Sequence, residues 1–401
     1  MDYSRRNNHV RIWLYLVLCV LLALIVIINL VPSPFYAINV KDAETIKPLV
    51  TTNTTRLYGT DVFETAAAIT QAVYPATFKD NKPGAVILTP KTNWQTAMAA
   101  IGLIHHPIDA PVLFIEENHI PATTLNEIER LDPEGNFLDG NVKVYVVGNV
   151  TQTVLDTLQN KKLKYRHFME EDYNELAYSI DEYKATLEAN HQDEIVLLPT
   201  GQPEYALLAG PWVAHMGHSI FFVESDAIPQ ATIKALEKRP VDAYLYLFGP
   251  PEVISKEIAK QLTQYGHVQR IPGDNPNAFS TGFAGYKDVG RNQGYWFWQS
   301  SRSFGWGVSE AGHNVTIVNP SQWQHAIAAS VLSHKGKHGP MLWVDKSSIS
   351  PEVKKYLKLI QPFYLSNQEQ LFNFGWIIGG PDIISRDVQL ETSDLLRLKM
   401  N

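Results

Sequence analysis

AVILTPKTNWQTAMAAIGLIHHPIDAPVLFI, residues 85–115, contains the pattern from which the architecture of this chain can be derived. One unbroken apolar run ends at Pro90, an Ala-rich segment follows, and a second apolar run ends at Ile115. Apolar runs without polar alternation are typical of strands that are buried on both faces of a parallel sheet, and such strands are connected by helices. The stretch therefore predicts a strand, a helix and a second, parallel strand.

This pattern occurs two more times, as IVLLP ending at Pro199 and as VTIVNP ending at Pro320. Each copy is preceded by an arginine and followed by a third apolar run that ends in glycine. The three arginines are Arg56, Arg166 and Arg270. Tandem repeats fix an architecture. The sequence therefore predicts an α/β protein of three tandem three-layer modules with mainly parallel sheets, at residues 55–163, 164–268 and 269–398.

The pattern also predicts the elements of the first module. Apolar residues at helical spacing predict helices, and short apolar runs predict the strands between them. The expected helices are 62–73, 94–104 and 122–131, and the expected strands are 85–89, 112–115 and 143–147. Right-handed crossovers would connect these strands.

Residues 12–31 form an uncharged apolar run, IWLYLVLCVLLALIVIINLV. As a helix, about 20 such residues span the roughly 30 Å hydrocarbon layer of a membrane. The run therefore predicts a transmembrane helix between a tail at 1–11 and a linker at 32–54. The basic tail is expected in the cytoplasm. This predicts a single-pass cell-membrane protein with its C-terminal bulk on the extracellular, cell-wall side. A cleaved signal peptide is the alternative.

Composition excludes several classes of function. The net charge is -7, and the tail through Arg11 contributes +2, which leaves -7 - 2 = -9 for the rest of the chain. An acidic protein has no basic field for nucleic acid. The one cysteine, Cys19, lies in the apolar run, so the remaining chain has no disulfide and no Cys-ligated zinc site. Walker, G-x-S-x-G and H-E-x-x-H motifs are absent, and we predict neither an enzyme nor a cofactor.

Two stretches resemble a known family. RLYGTDVFETAAAI at 56–69 and WIIGGPDIIS at 376–385 resemble the opening and the end of the cell-wall-binding type 2 repeat of Gram-positive surface proteins. The likeness covers about residues 55–398 as three copies. The resemblance implies a pseudo-threefold arrangement of the modules. That family has an Asp at the start of the middle helix. In this chain the three repeats have Thr96, Tyr205 and His325 at that position.

The resemblance also implies a function. We expect a membrane-anchored surface protein of the cell envelope that binds anionic cell-wall polymer, or another envelope glycan, non-covalently through its three repeats. Two alternatives stay open. One is a membrane-tethered scaffold for another envelope protein, and the other is an enzyme that acts on envelope polymers.

Candidate polymer-binding residues follow from position. In parallel α/β sheets, ligands lie outside the carboxyl ends of the strands. These loops and the opening arginines contribute Arg56, Thr89, Lys91, Asn93, Arg166, Thr200, Gln202, Arg270, Ser321 and Gln322. An aromatic and Gly-rich insertion at about 282–312 adds Trp296, Trp298 and Arg302, since aromatic faces stack on sugar rings. The loop residues also suit helix caps and turns, and the aromatic residues also suit inward packing.

Histidines recur where the middle helix of each module is expected to end. They are His105, His106, His215, His218, His334 and His338. Around a pseudo-threefold axis they would gather into a metal site, and two histidines separated by two residues have a plausible ligand spacing. Alternatively, they stand there because cations favour helix C-termini. Since Asp109 is the one carboxylate close to them in sequence, the second interpretation is favoured and no metal site is predicted.

Overall fold

The structure is a computed structural model that describes residues 49–288, 304–335, 338–364 and 370–399. The strands in these ranges are β1 (Thr54–Leu57), β2 (Val86–Pro90), β3 (Val112–Ile115), β4 (Val144–Val147), β5 (Tyr165–Phe168), β6 (Glu194–Pro199), β7 (Ser219–Val223), β8 (Tyr244–Leu247), β9 (His267–Arg270), β10 (Asn314–Val318), β11 (Met341–Trp343) and β12 (Phe374–Ile378).

The helices of the same ranges are α1 (Val62–Val73), α2 (Trp94–Ala100), α3 (Ala122–Leu131), α4 (Gln152–Asn160), α5 (Tyr173–Glu188), α6 (Pro203–Ala206), α7 (Gly210–Met216), α8 (Gln230–Leu236), α9 (Lys256–Leu262), α10 (Pro276–Gly285), α11 (Trp323–Ala329), α12 (Pro351–Leu359) and α13 (Arg386–Leu396). Short 3-10 helices are Lys79–Asn81, Ile101–Leu103, Phe137–Asp139, Leu207–Ala209 and Ser330–Ser333.

The strands form three four-stranded sheets, with the orders β3-β2-β4-β5, β7-β6-β8-β9 and β11-β10-β12-β1. Every pairing within these sheets is parallel. The central strand β2 is buried along its whole length, as its unbroken apolar run predicts. The predicted α/β class with three parallel sheets is confirmed.

The strands that carry the opening arginines are exchanged between repeats. Strand β5 lies beside β4 in the first sheet, β9 lies beside β8 in the second, and β1 lies beside β12 in the third. The predicted limits at 55–163, 164–268 and 269–398 describe the repeat in the sequence. The sheets combine strands from both sides of these limits, and β1 joins the first repeat to the last.

The middle helices of the three repeats meet at Gly210, the first residue of α7. A Cβ atom at this position would lie 2.4 Å from Ser330 Oγ and 3.1 Å from Ile101 Cδ1. These two neighbours belong to the third and the first repeat, and all three residues are buried. Only glycine allows this close approach.

The predicted membrane location is wrong for the part of the chain that the structure describes. No helix there has the length and the apolar character to cross a bilayer. The longest, α5, has 16 residues and contains charged side chains, whereas a span needs about 20 apolar residues. The predicted tail at 1–11, the anchor at 12–31 and the linker up to residue 48 lie outside the described residues.

Candidate functional site

The loops at the carboxyl ends of the sheets are joined by hydrogen bonds between repeats. Gln95 Nε2 donates to the carbonyl oxygen of Thr200 at 3.1 Å, and Gln324 Nε2 donates to that of Lys91 at 3.2 Å. Each bond connects the start of one middle helix to the loop that follows the central strand of another repeat. We call the surface formed by loops 91–95, 200–204 and 319–324, together with the pockets that these loops border, the carboxyl-end face. The predicted loop residues therefore lie close together.

The third junction of this face differs because Glu204 occupies the position of the two glutamines. An ionised carboxylate has no proton to donate, and the backbone carbonyl of Glu204 instead accepts a hydrogen bond from Trp343 Nε1 at 2.7 Å. A pocket of about 540 Å³ opens here between Glu204 and Pro320. Its lining also includes the carboxylates of Asp345 and Glu352.

The carboxyl-end face is polar and acidic. Lys91 Nζ lies 2.6 Å from Glu116 Oε1, so its charge is already paired. A second pocket of about 310 Å³ contains Thr200 and Gln202 together with three acidic residues, Glu224, Asp226 and Glu252. Such surroundings offer hydrogen-bond acceptors to hydroxyl groups and repel bare anions.

Two of the predicted arginines make contacts with backbone carbonyls. The Arg56 guanidinium is buried and donates to the carbonyl oxygens of Gly379 at 2.6 Å and Ser385 at 3.2 Å. Burial lowers the pKa of Arg56 to about 10. Arg270 repeats the contact with the carbonyl oxygen of Gly249 at 2.5 Å. Both side chains satisfy carbonyls at the ends of β12 and β8, where these groups would otherwise be unpaired.

Arg166 does not share this role, although the sequence repeat aligns it with Arg56. In β5 the equivalent residue is His167, whose Nε2 atom lies 2.9 Å from the carbonyl oxygen of Gly148. Neighbouring residues of a strand point to opposite faces. Arg166 therefore lies on the other face, where it forms two hydrogen bonds with Asp139, at 2.5 and 2.7 Å, and lowers the pKa of that carboxyl group.

The remaining loop candidates have mixed surroundings. Asn93 caps α2 by accepting a hydrogen bond from the Thr96 backbone at 2.8 Å. The backbone N–H of Ser321 donates to Asn319 Oδ1 at 3.0 Å, and Gln322 immediately precedes α11. Thr89 is fully buried at the end of β2, and within the described ranges its hydroxyl has no hydrogen-bond partner.

The candidates from the insertion, Trp296, Trp298 and Arg302, lie outside the described residues. The end of the insertion is described, and there Phe304 is fully buried. Its ring stacks on Tyr246, with ring centroids 3.4 Å apart. This part of the insertion packs inward.

The histidines of the three repeats do come together. The ring centroids of His105, His106 and His334 lie 5.0 to 5.7 Å from one another. His215 and His338 are 4.4 Å apart. Two groups in the described chain place possible metal ligands within 4.8 Å of one another: His106 with Asp109 and His334, and Asp181 with Glu182 and His191.

Two solved structures are similar to the described fold. Cwp6 from Clostridium difficile matches with a TM-score of 0.68 and 16% identity, over 88% of this chain and 49% of that chain. Cwp8 from the same organism matches with a TM-score of 0.64 and 18% identity, over 86% and 52%. The chain has the cell-wall-binding type 2 fold. It spans about half the length of these two proteins.

Sequence comparison gives a weaker likeness. No protein-family model matches the chain. Among curated proteins, it is 25% identical over 247 residues to the amidase enhancer of Bacillus subtilis (strain 168). The match covers 61% of this chain and 30% of the amidase enhancer.

Within the type 2 fold, the residues that replace the family's Asp take part in packing. A Cβ atom on Gly148 would lie 2.7 Å from Thr96 Cγ2, and one on Gly379 would lie 3.0 Å from His325 Nδ1. Tyr205 packs edge to face on Phe279 at 5.2 Å. Burial lowers the pKa of His325 to about 4, so this side chain is neutral at pH 7.

Proposed function

We propose that this protein is a non-catalytic cell-wall protein that binds an envelope polymer at the carboxyl-end face. The fold is that of Cwp6 and Cwp8. The observation that carries the proposal is the pair of hydrogen bonds from Gln95 and Gln324, which bring the loops of three repeats into one surface with open polar pockets. Equal bonds at two of three junctions also support a pseudo-threefold arrangement of the repeats.

The charge of the face determines how a polymer would bind. Carboxylates such as Glu224 and Asp226 accept hydrogen bonds from sugar hydroxyls. A phosphate- or carboxylate-bearing polymer would be repelled unless a divalent cation lay between the two sets of oxygens. We propose that hydroxyl-rich glycan binds directly and that an anionic polymer binds through bridging Ca²⁺ or Mg²⁺.

A sedimentation assay with purified wall fragments tests this proposal. Gln202→Ala and Glu224→Gln change exposed side chains of the second pocket, and both should reduce the bound fraction severalfold. Gln264→Ala, an exposed glutamine just before β9 and outside this pocket, is the matched control. Wall fragments stripped of anionic polymer, and a chelator, separate direct from cation-bridged binding. Unchanged binding by both pocket variants would exclude the carboxyl-end face.

A second candidate function rests on the likeness to the amidase enhancer. That name describes a protein that increases the activity of an amidase. It does not describe the amidase itself. We propose as the alternative that this chain is a scaffold that binds another envelope protein, such as a wall amidase. Stimulation of a purified amidase on wall fragments, retained by Gln202→Ala, would favour this alternative over polymer binding.

A further inference from the structure

We infer that His106, Asp109 and His334 form a site for a divalent transition metal, with Zn²⁺ as the best-suited ion, between the first and the third repeat. Two imidazoles and a carboxylate are typical ligands of such ions, and a metal held by three protein ligands keeps a fourth position for water. The inference is independent of the carboxyl-end face.

The donor atoms are close enough for one ion. They lie within 4.8 Å of one another, and His334 Nε2 is 2.9 Å from Asp109 Oδ1. A tetrahedral zinc ion with bonds of about 2.0–2.1 Å holds neighbouring donor atoms about 3.3 Å apart. Small side-chain rotations of His106 would therefore complete the set.

The surroundings of the three residues suit a metal site. The side chains of His334 and Asp109 are 3% and 12% exposed, which fixes their positions, whereas His106 is exposed and leaves a path for the ion. The hydroxyl of the buried Tyr74 donates to Asp109 Oδ1 at 2.9 Å. Hydrogen bonds of this kind orient a ligand and are a regular part of metal centres.

The neighbouring residue Lys335 weakens the binding of an ion at this site. Lys335 Nζ lies 2.7 Å from Asp109 Oδ2 and pairs with the same carboxylate that the metal would use. Two cations on one carboxylate repel each other, and the repulsion at about 4 Å is substantial in a partly buried site. Removal of the Lys335 charge should therefore strengthen metal binding, an effect that no merely structural role of the histidines would produce.

The other group of possible ligands, Asp181, Glu182 and His191, is less suitable. It offers a single imidazole, and both of its carboxylates are already paired with cations, Asp181 with the fully buried Arg239 at 2.5 Å and Glu182 with Lys238. This group also lies within one repeat. It supplies the control for the experiment.

The test is a titration of the purified, chelator-treated full chain with Zn²⁺ by calorimetry, and with Co²⁺ by its visible absorption. We expect one tight site in the wild type. His106→Ala and His334→Ala should each weaken it at least tenfold, and Lys335→Met should tighten it severalfold. His191→Ala should leave it unchanged.

The set of variants also distinguishes loss of the metal site from a failure to fold. His106 is exposed, so His106→Ala decides the matter if His334→Ala fails to fold. A wild-type protein that binds neither ion would overturn the inference. So would undiminished binding by His106→Ala, loss of binding by His191→Ala, or weaker binding by Lys335→Met.

Discussion

Substitution of Gly210 by alanine tests whether the three repeats meet where the structure places them. The added Cβ atom would lie 2.4 Å from Ser330 Oγ, which is 3.4 - 2.4 = 1.0 Å short of ordinary contact. Overpacking of this kind costs about 1–3 kcal/mol. Gly210 has helical dihedral angles (φ -52°, ψ -54°), so alanine regains up to about 1 kcal/mol of helix propensity. We expect a net loss of about 1–2 kcal/mol in the free energy of unfolding.

A second substitution identifies the cause of that loss. Ser330→Ala removes the Oγ atom and leaves the Cβ of residue 330 at 3.5 Å, an ordinary contact. In urea unfolding, the double variant should therefore recover about 1 kcal/mol relative to the sum of the single variants. Gly201→Ala is the control, because nothing lies within 4 Å of its added Cβ. A Gly210→Ala protein as stable as Gly201→Ala, or a double variant without recovery, would refute the contact.

Two further predictions concern the opening arginines and the buried histidines. Arg56→Met should lower the free energy of unfolding by about 3 kcal/mol because it leaves buried carbonyls unpaired, whereas Arg166→Met, in a half-exposed pair, should cost less than about 1 kcal/mol in the same assay. Equal losses of stability in the two variants would contradict this prediction. Burial lowers the pKa of His215 and His325 to about 4. The unfolded chain, with pKa values near 6.5, then binds protons first as the pH falls. Stability should therefore be complete above pH 6.5 and should fall between pH 6.5 and 4, by roughly 3 kcal/mol for the buried His325 and by less for the half-buried His215, and urea midpoints across this range measure the loss. A flat profile would show that these rings are not buried in the folded state.

The elements with strong local signals could be predicted from the sequence. Helix α1 begins after Asp61, whose side chain accepts a hydrogen bond from Glu64 N, and it spans the predicted residues 62–73. Strand β3 and helix α3 also have their predicted limits. These elements are specified by apolar periodicity and by caps, which are properties of neighbouring residues.

The exchanged strands could not be predicted in the same way. Strand β5 is short, and Phe168 is its one buried residue. It therefore has no apolar run from which a strand could be predicted. Its position beside β4 is a long-range pairing. The repeat in the sequence aligned Arg166 with Arg56, but strand register placed His167 in that role, because a shift by one residue reverses the face of a strand.

The place of the candidate loop residues in the fold could be predicted from the sequence, but their chemical surroundings could not. The carboxyl-end rule located Thr200 and Gln202 in one pocket. It could not indicate that Glu116 would pair with Lys91, or that acidic side chains would dominate, since these residues come from other loops. The histidines illustrate the opposite case. Their recurrence in the sequence was visible, but the contact between His334 and Asp109 depends on packing between repeats.

The exchange of strands explains why the carboxyl-end face and the histidine cluster need all three repeats. In a linear array of repeats, each unit contacts its neighbours only, and the terminal units need special caps. Here β1 places the start of the first repeat in the sheet of the last, so the described chain is closed by its own strands. This strand exchange also fixes the positions of the repeats relative to one another. It therefore keeps the loops of the carboxyl-end face together, and it keeps His106 close to His334. A single repeat cut at its sequence limits would lack the edge strand of its own sheet, together with both junctions.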